Sequence, residues 1–313
     1  MDKIKPPKLN KGDLIGIISP ASCPDDVTRI EKGASYLEKL GYRVVIGENA
    51  RKNYGYLAGE DNLRLDDLHN MFGNKEVKAI FCTRGGYGTP RLLDRVDYNL
   101  IKKNPKIFVG YSDITALQMA ILRKTGLISF AGPMVAVDFW NEVNPYTEEM
   151  FWAMITSDKK YGRVNNPGNE KIDLLKGGQT EGEVIGGNLA LLTSVIGTPY
   201  SPDFKDRVLL IEDIGEPPYR IDRMLNQLKL SGVFKSINGI ILGCFTDCVE
   251  PDPYSKTLSL NEVIDGYLGG LDMPVMYNYK HGHVKENITV PYGITHFIDA
   301  DKGIVEITES AVV

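Results

Sequence analysis

Short apolar runs recur through the first half of the chain, each followed by a segment with helical periodicity, and this alternation is the strongest constraint on the fold. Leu14–Ser19, Tyr42–Ile46, Ala79–Cys82, Ile107–Gly110 and Ile128–Ala131 read as strands. Pro24–Leu40, Asp61–Phe72 and Ile114–Leu122 read as helices, and Arg91–Asp94 as a short helical piece. Strands that are apolar throughout, with no alternating polar face, must be covered on both sides. Repeated β-α units meet that demand as a parallel sheet with helices on either face, an α/β architecture. Sites in such sheets form beyond the carboxyl ends of the strands. Three loops fall there: Ser19–Ser22, Thr83–Gly88 and Tyr111–Asp113.

The pattern changes after a helix near Tyr146–Thr156. Lys159–Gln179 is polar and rich in Gly, Asn and Lys, as a linker or crossing segment would be. Beyond it strands predominate at Gly182–Ile185, Val208–Glu212, Ile237–Leu242, Ile288–Pro291 and Ile304–Thr308, interrupted by helices at Tyr219–Leu230 and Leu260–Leu268. With 313 residues there is material for about two domains. We expect an α/β domain over 1–165 and a smaller β-rich domain over 166–313. A net charge of −5 and the lack of a basic cluster argue against nucleic acid as a partner. No apolar run is long enough to span a membrane, and no signal core precedes Leu14, so a cytoplasmic protein without a membrane partner is expected. The four cysteines (Cys23, Cys82, Cys244, Cys248) include a single C-x3-C pair with no second pair, which points to reduced structural thiols and to no metal site.

One junction carries chemistry. KIFVG ends a strand, ITALQMAIL begins a helix, and Tyr111-Ser112-Asp113 must reverse the chain between them. A serine there projects from the end of the sheet beside the unpaired N–H groups and positive dipole of the next helix, the layout of a nucleophile elbow. Ile114 stands where G-x-S-x-G would carry its second glycine, and Ser112 or Asp113 could equally be the helix N-cap. Gly85, Gly86 and Gly88 in the loop after Cys82 lack the ending of a P-loop and the spacing of a dinucleotide fingerprint. They can serve a tight turn, or let backbone N–H groups approach a substrate carbonyl.

A serine nucleophile needs a base, and the base an orienting carboxylate. Of four histidines, His69 lies on a helix, His296 on a C-terminal strand, and His281 and His283 flank Gly282 in a loop from which a side chain can enter a cleft. Glu212 closes an apolar strand, where a carboxylate must be paired: with a histidine, or structurally with Arg220 or Arg223.

Taken together the motifs resemble the serine LD-carboxypeptidase family, that is, bacterial muramoyltetrapeptide carboxypeptidases and the related microcin-immunity peptidases. The matching segments are GDLIGIISPAS, TRGGYG (Thr83–Gly88), VGYSDITAL (Val109–Leu117), EGEVIGGNLALL (Glu181–Leu192), LIEDIGEPPYRIDRML (Leu210–Leu225) and GHVKENITVPYG (Gly282–Gly293), in order over nearly the whole chain. The resemblance implies a flavodoxin-like N-terminal domain, a smaller β-rich C-terminal domain and an active site at their interface. It implies a triad of Ser112, Glu212 and His283, with His281 outside it, and an oxyanion hole from the N–H groups of Gly86 and Asp113. The implied reaction is release of D-alanine from murein tetrapeptides through an acyl-enzyme, without a cofactor, in a homodimer. A terminal carboxylate calls for a cation, for which Arg84 is the candidate, and Tyr87 could shape the pocket; Arg84 could instead bridge Asp113. Hydrolysis of peptidyl or aminoacyl adenylates, with Tyr161 or Tyr200 stacking on adenine, is the alternative, and a non-catalytic binding protein a further one.

Overall fold

The computed structural model describes residues 2–252 and 254–313. Its first half runs β1 (Leu14–Ile18), α1 (Thr28–Lys39), β2 (Arg43–Ile46), α2 (Asp61–Gly73), β3 (Val77–Cys82), α3 (Tyr98–Lys103), β4 (Ile107–Val109), α4 (Ile114–Thr125) and β5 (Ser129–Ala131). There follow α5 (Pro145–Thr156), β6 (Gly162–Val164), β7 (Asp173–Lys176), β8 (Gln179–Asn188), α6 (Leu189–Val195), β9 (Val208–Ile214) and α7 (Pro218–Leu230). The chain closes with β10 (Gly239–Thr246), α8 (Leu260–Leu268), β11 (Val275–Tyr277), β12 (Val290–Tyr292), β13 (Thr295–Asp299) and β14 (Ile304–Ile307).

A six-stranded sheet has the order β12-β5-β4-β3-β1-β2, parallel from β5 to β2. β4 is wholly buried, and in β3 only Lys78 reaches solvent, so the runs read as continuously apolar are the ones covered on both faces. α1 buries Ile30, Gly33, Ala34 and Leu37, the i, i+3, i+4, i+7 stripe that faces a sheet. It starts at Thr28 rather than Pro24 because Asp26 Oδ1 accepts from the Thr28 N–H at 3.0 Å and holds a turn just before it.

The second sheet has eight strands in the order β6-β14-β13-β8-β9-β10-β11-β7. Its centre, β8 to β11, is parallel, with α7 and α8 in the crossovers; antiparallel strands flank it on both sides. The polar segment Lys159–Gln179 supplies β6 and β7 on opposite edges, so it does cross the sheet. β6 already belongs to the second sheet although it precedes residue 165. α6, which lies between the expected strands Gly182–Ile185 and Val208–Glu212, is capped by Asn188, whose side-chain oxygen accepts from the Leu191 N–H at 3.2 Å.

Two features bring the sheets onto one site. The Asn188 N–H donates to Thr115 Oγ1 at 3.2 Å, tying α4 to the end of β8. After β11 the chain leaves the second sheet, crosses 278–289, and enters the first as β12, antiparallel to β5, before returning as β13. Whatever that crossing carries is held between the two sheets. No helix among the described residues is long and apolar enough to cross a membrane.

Candidate active site

Ser112 follows β4 with φ of 63°, a left-handed conformation that costs a non-glycine residue about 1–3 kcal/mol. The reversal aims its hydroxyl away from α4. The helix N-cap is Asp113, and neither side chain forms a capping bond. Ser112 Oγ instead lies 3.0 Å from His283 Nε2, and His283 Nδ1 lies 2.8 Å from Glu212 Oε2. An ionised carboxylate only accepts, so Nδ1 carries the proton and Nε2 accepts from the hydroxyl. The chain from hydroxyl to carboxylate is therefore continuous, and the imidazole is in the tautomer that can take the serine's proton.

Each member is fixed by its element. Glu212 is 1% exposed, on β9 at the middle of the second sheet. Arg220 pairs with Glu216 at 3.2 Å, leaving Glu212 to His283. His283 rides the crossing from β11 to β12, and its ring meets the edge of Tyr111 at a centroid distance of 5.3 Å. The crossing needs Gly282: with φ of 123°, an added Cβ would sit 2.6 Å from Glu212 Oε2. Gly282→Ala is expected to destabilise the fold by about 1–3 kcal/mol and to break the His283–Glu212 contact, checked by urea unfolding together with activity.

The glycine-rich loop lies against the serine. A Cβ on Gly85 would stand 2.7 Å from Ser112 Cβ, and Gly86 takes φ of 102° over Ser22. Neither the Gly86 N–H nor the Asp113 N–H finds an acceptor among the described residues. Asp113 itself is fully buried; its carboxylate accepts from the N–H of Thr89 at 2.8 Å and of Gly88 at 3.2 Å. Burial lifts its pKa above the ordinary value, and those bonds only partly offset the shift. The aspartate thus staples the loop to the elbow, and Arg84 does not bridge it. Arg84 is half-buried and makes no ion pair among the described residues. Tyr87 is exposed, tilted against Tyr56 at 5.8 Å on the rim of the site. Tyr200 lies over Lys124, at the end of α4 opposite Ser112, and is not brought to the site.

His283 is pulled two ways. Burial favours its neutral form, but the hydrogen bond and charge of Glu212, with Asp213 and Asp138 behind, outweigh burial and raise its pKa above 6.5. The other histidines are structural. His281 is buried with Nδ1 2.7 Å from the Ile288 carbonyl, and His69 Nε2 accepts from the Asp97 N–H at 3.0 Å. On β13, His296 is buried and pushed down to about 4.

Two contributors escaped the sequence reading. Arg64 on α2 is 1% exposed and donates to the carbonyls of Pro20 and Gly88, tying two of the loops at the carboxyl ends; Asp61 holds it and is itself gripped by Arg91. Its place in DNLRLDDL, on the buried face with Leu65 and Leu68, was the available signal. Asp138 accepts from the Met134 N–H at 2.7 Å, and burial pushes it up to about 6. Nothing in GPMVAVDFW marks it.

Residues 15–132 match the LD-carboxypeptidase N-terminal domain and residues 181–298 the LD-carboxypeptidase C-terminal domain. The probable murein peptide carboxypeptidase of Bacillus subtilis (strain 168) is 44% identical over 291 residues, 92% of this chain and 89% of that protein. Among solved structures, the microcin C7 self immunity protein MccF in complex with aspartyl sulfamoyl adenosine superposes with a TM-score of 0.88 at 30% identity, over 99% of this chain and 100% of that one. The muramoyltetrapeptide carboxypeptidase from Oxalobacter formigenes gives 0.81 at 31% identity, over 94% and 97%. With two successive family domains in order and a close relative along nearly its whole length, the chain belongs to the LD-carboxypeptidase family of serine-type carboxypeptidases.

Proposed function

We propose that the protein removes the C-terminal D-alanine from murein tetrapeptides by a serine acyl-enzyme mechanism. The observation that carries this reading is the hydrogen-bonded chain Ser112–His283–Glu212, ending beside the unpaired N–H groups of Gly86 and Asp113. Ser112 Oγ attacks the scissile carbonyl while His283 Nε2 takes its proton. The tetrahedral oxyanion sits between the two N–H groups at the positive end of α4, each donor worth about 10²–10³ in rate. His283 then hands its proton to the departing amine, and water repeats the cycle on the ester. Glu212 stays ionised and holds the imidazolium. Arg84, beside the oxyanion loop with its charge uncommitted, is the candidate for the substrate's terminal carboxylate. The test is D-alanine release from a murein tetrapeptide with EDTA present throughout.

The base works only when neutral, so kcat/KM should rise with pH through the imidazole's pKa, with a midpoint above 6.5. Asp138 is one of the negative charges that raise it. Asp138→Asn is therefore expected to move the midpoint down, measured as the acid limb of the kcat/KM profile.

A second reading, hydrolysis of aminoacyl adenylates, is favoured by the likeness to MccF bound to an aminoacyl sulfamoyl nucleoside. It lacks one of its two stacking candidates, since Tyr200 lies at the far end of α4. A silent binding protein would have no need for the strained φ at Ser112 or a buried carboxylate on the imidazole.

A further inference from the structure

Of the three loops at the carboxyl ends of the first sheet, Ser19–Ser22 supplies neither a member of the triad nor an oxyanion donor. It is bonded throughout to the loop that does supply one. Ser19 Oγ donates to the Ala50 carbonyl at 2.7 Å and accepts from Thr83 Oγ1 at 2.7 Å. Ser22, 9% exposed, makes three bonds further along. Its N–H donates to the Gly85 carbonyl at 3.2 Å. Its Oγ accepts from the Tyr87 N–H at 3.1 Å and donates to the Tyr56 carbonyl at 2.5 Å. The first two partners flank Gly86 on either side.

Those two bonds decide where the Gly86 N–H points. The Gly85 carbonyl and the Gly86 N–H belong to one peptide unit, and in a planar trans unit they face opposite ways. With the carbonyl held on Ser22, the N–H faces away from Ser22, and it finds no acceptor among the described residues. The following unit, between Gly86 and Tyr87, is held by Ser22 Oγ, so the chain cannot rotate about Gly86 without breaking one bond or the other. Gly86 needs that restraint, because a glycine at φ of 102° has no side chain to limit its backbone. Nor is there room for one, since a Cβ there would stand 2.3 Å from Ser22 Oγ. We infer that Ser22 is the positioning residue of the oxyanion hole: it touches no reacting atom, and it sets the direction of the Gly86 donor. The Tyr56 carbonyl takes the hydroxyl's one proton and so leaves its oxygen lone pairs for the Tyr87 N–H. The assignment rests on the acyl-enzyme mechanism proposed above, and is indifferent to which peptide is cut.

Ser22→Ala removes the hydroxyl and keeps the N–H, which releases one of the two peptide units. For D-alanine release, kcat should fall about ten- to a hundredfold, part of the 10²–10³ that outright loss of one donor costs, with KM little changed. The second readout is affinity for a tripeptide boronic acid ending at the scissile position, whose tetrahedral adduct with Ser112 puts an anionic oxygen between the two N–H groups. That affinity should fall by the same factor as kcat/KM, while the acid limb of the pH profile stays at its wild-type midpoint. A hydroxyl that served only to pack the loop would lower the thermal midpoint without weakening the boronic acid. That result, or an unchanged kcat, overturns the assignment. Should Ser22→Ala fail to fold, Ser22→Cys keeps the shape with a weaker acceptor and should show the same loss on a smaller scale; wild-type affinity in that variant counts against the assignment. A wild type that releases no D-alanine but is labelled at Ser112 by a fluorophosphonate would sink the murein substrate alone. Labelling rates then decide on Ser22, slower labelling of the variant supporting the assignment and equal labelling overturning it. A wild type that neither releases nor labels would sink the carboxypeptidase reading, and this assignment with it.

Discussion

Ser112→Ala should abolish D-alanine release from a murein tetrapeptide while leaving the thermal midpoint near that of the wild type. The expected loss in kcat is on the order of 10⁶, because removing the nucleophile of a hydrogen-bonded triad costs about as much as removing the whole triad. The fold should survive for local reasons. Alanine meets the positive φ at 112 with no more strain than serine, since each carries one Cβ. The hydroxyl caps nothing: α4 is entered through Asp113, and the loop beside it is held by Asp113 on Gly88 and Thr89 and by Arg64 on Pro20 and Gly88. What the substitution removes is one bond, from Oγ to His283 Nε2. Wild-type release that persists in EDTA, with none from the variant, is the expected pair of results. Equal release by both would mean that the serine only shapes the turn, and no release by either would turn attention to an aminoacyl adenylate.

The sheet around Ser112 was legible because β1, β3 and β4 are buried on both faces and, apart from Lys78 near the start of β3, carry no polar residue to blur their boundaries. The edge strands of the second sheet were not. β6 and β7 are short and mix polar residues with apolar ones because one side faces water, and β11 beside β7 is equally short, so periodicity says little about them. α6 was missed because NLALLTSV is as apolar as a strand, and only the side chain of Asn188 on the Leu191 N–H marks its start. Within the site, Ser112 and Glu212 announced themselves by sitting at the ends of apolar runs, where a polar side chain needs a reason. His283 could be read from the residues only as one of a pair, since spacing does not tell which of His281 and His283 faces the carboxylate. Their fates diverge through Gly282, which turns one ring into the core against Ile288 and the other toward Glu212. Asp138 had no signal at all, because its role depends on the approach of a crossing from 145 residues further along the chain, which no local pattern records.

Glu212→Gln is the second large effect, an expected fall in kcat of about 10⁴ with KM little changed, by the general cost of an amide in place of a triad carboxylate. The carboxylate is 1% exposed, and it holds the Nδ1 proton of His283 at 2.8 Å. An amide has nearly the same shape but presents one oxygen and one NH2. With the nitrogen toward the ring it donates to Nδ1, forces the proton onto Nε2, and leaves nothing to accept the proton of Ser112. With the oxygen toward the ring the tautomer survives, but the charge that balances the imidazolium is gone. Either way His283 loses the largest contribution raising its pKa, and burial, which acts in the opposite direction, is left less opposed. The residual activity should therefore titrate with its acid limb shifted to lower pH. Removal of a buried negative charge also relieves the adjacent Asp213, whose pKa Glu212 helps to raise towards about 6. The variant should accordingly be no less stable than the wild type even as its rate collapses. Glu212→Asp keeps the charge but shortens the reach by one methylene from a strand that cannot move, and its kcat should fall between the two. A Glu212→Gln enzyme within tenfold of wild type would show that His283 is held by its loop alone, and that the carboxylate on β9 takes no part in turnover.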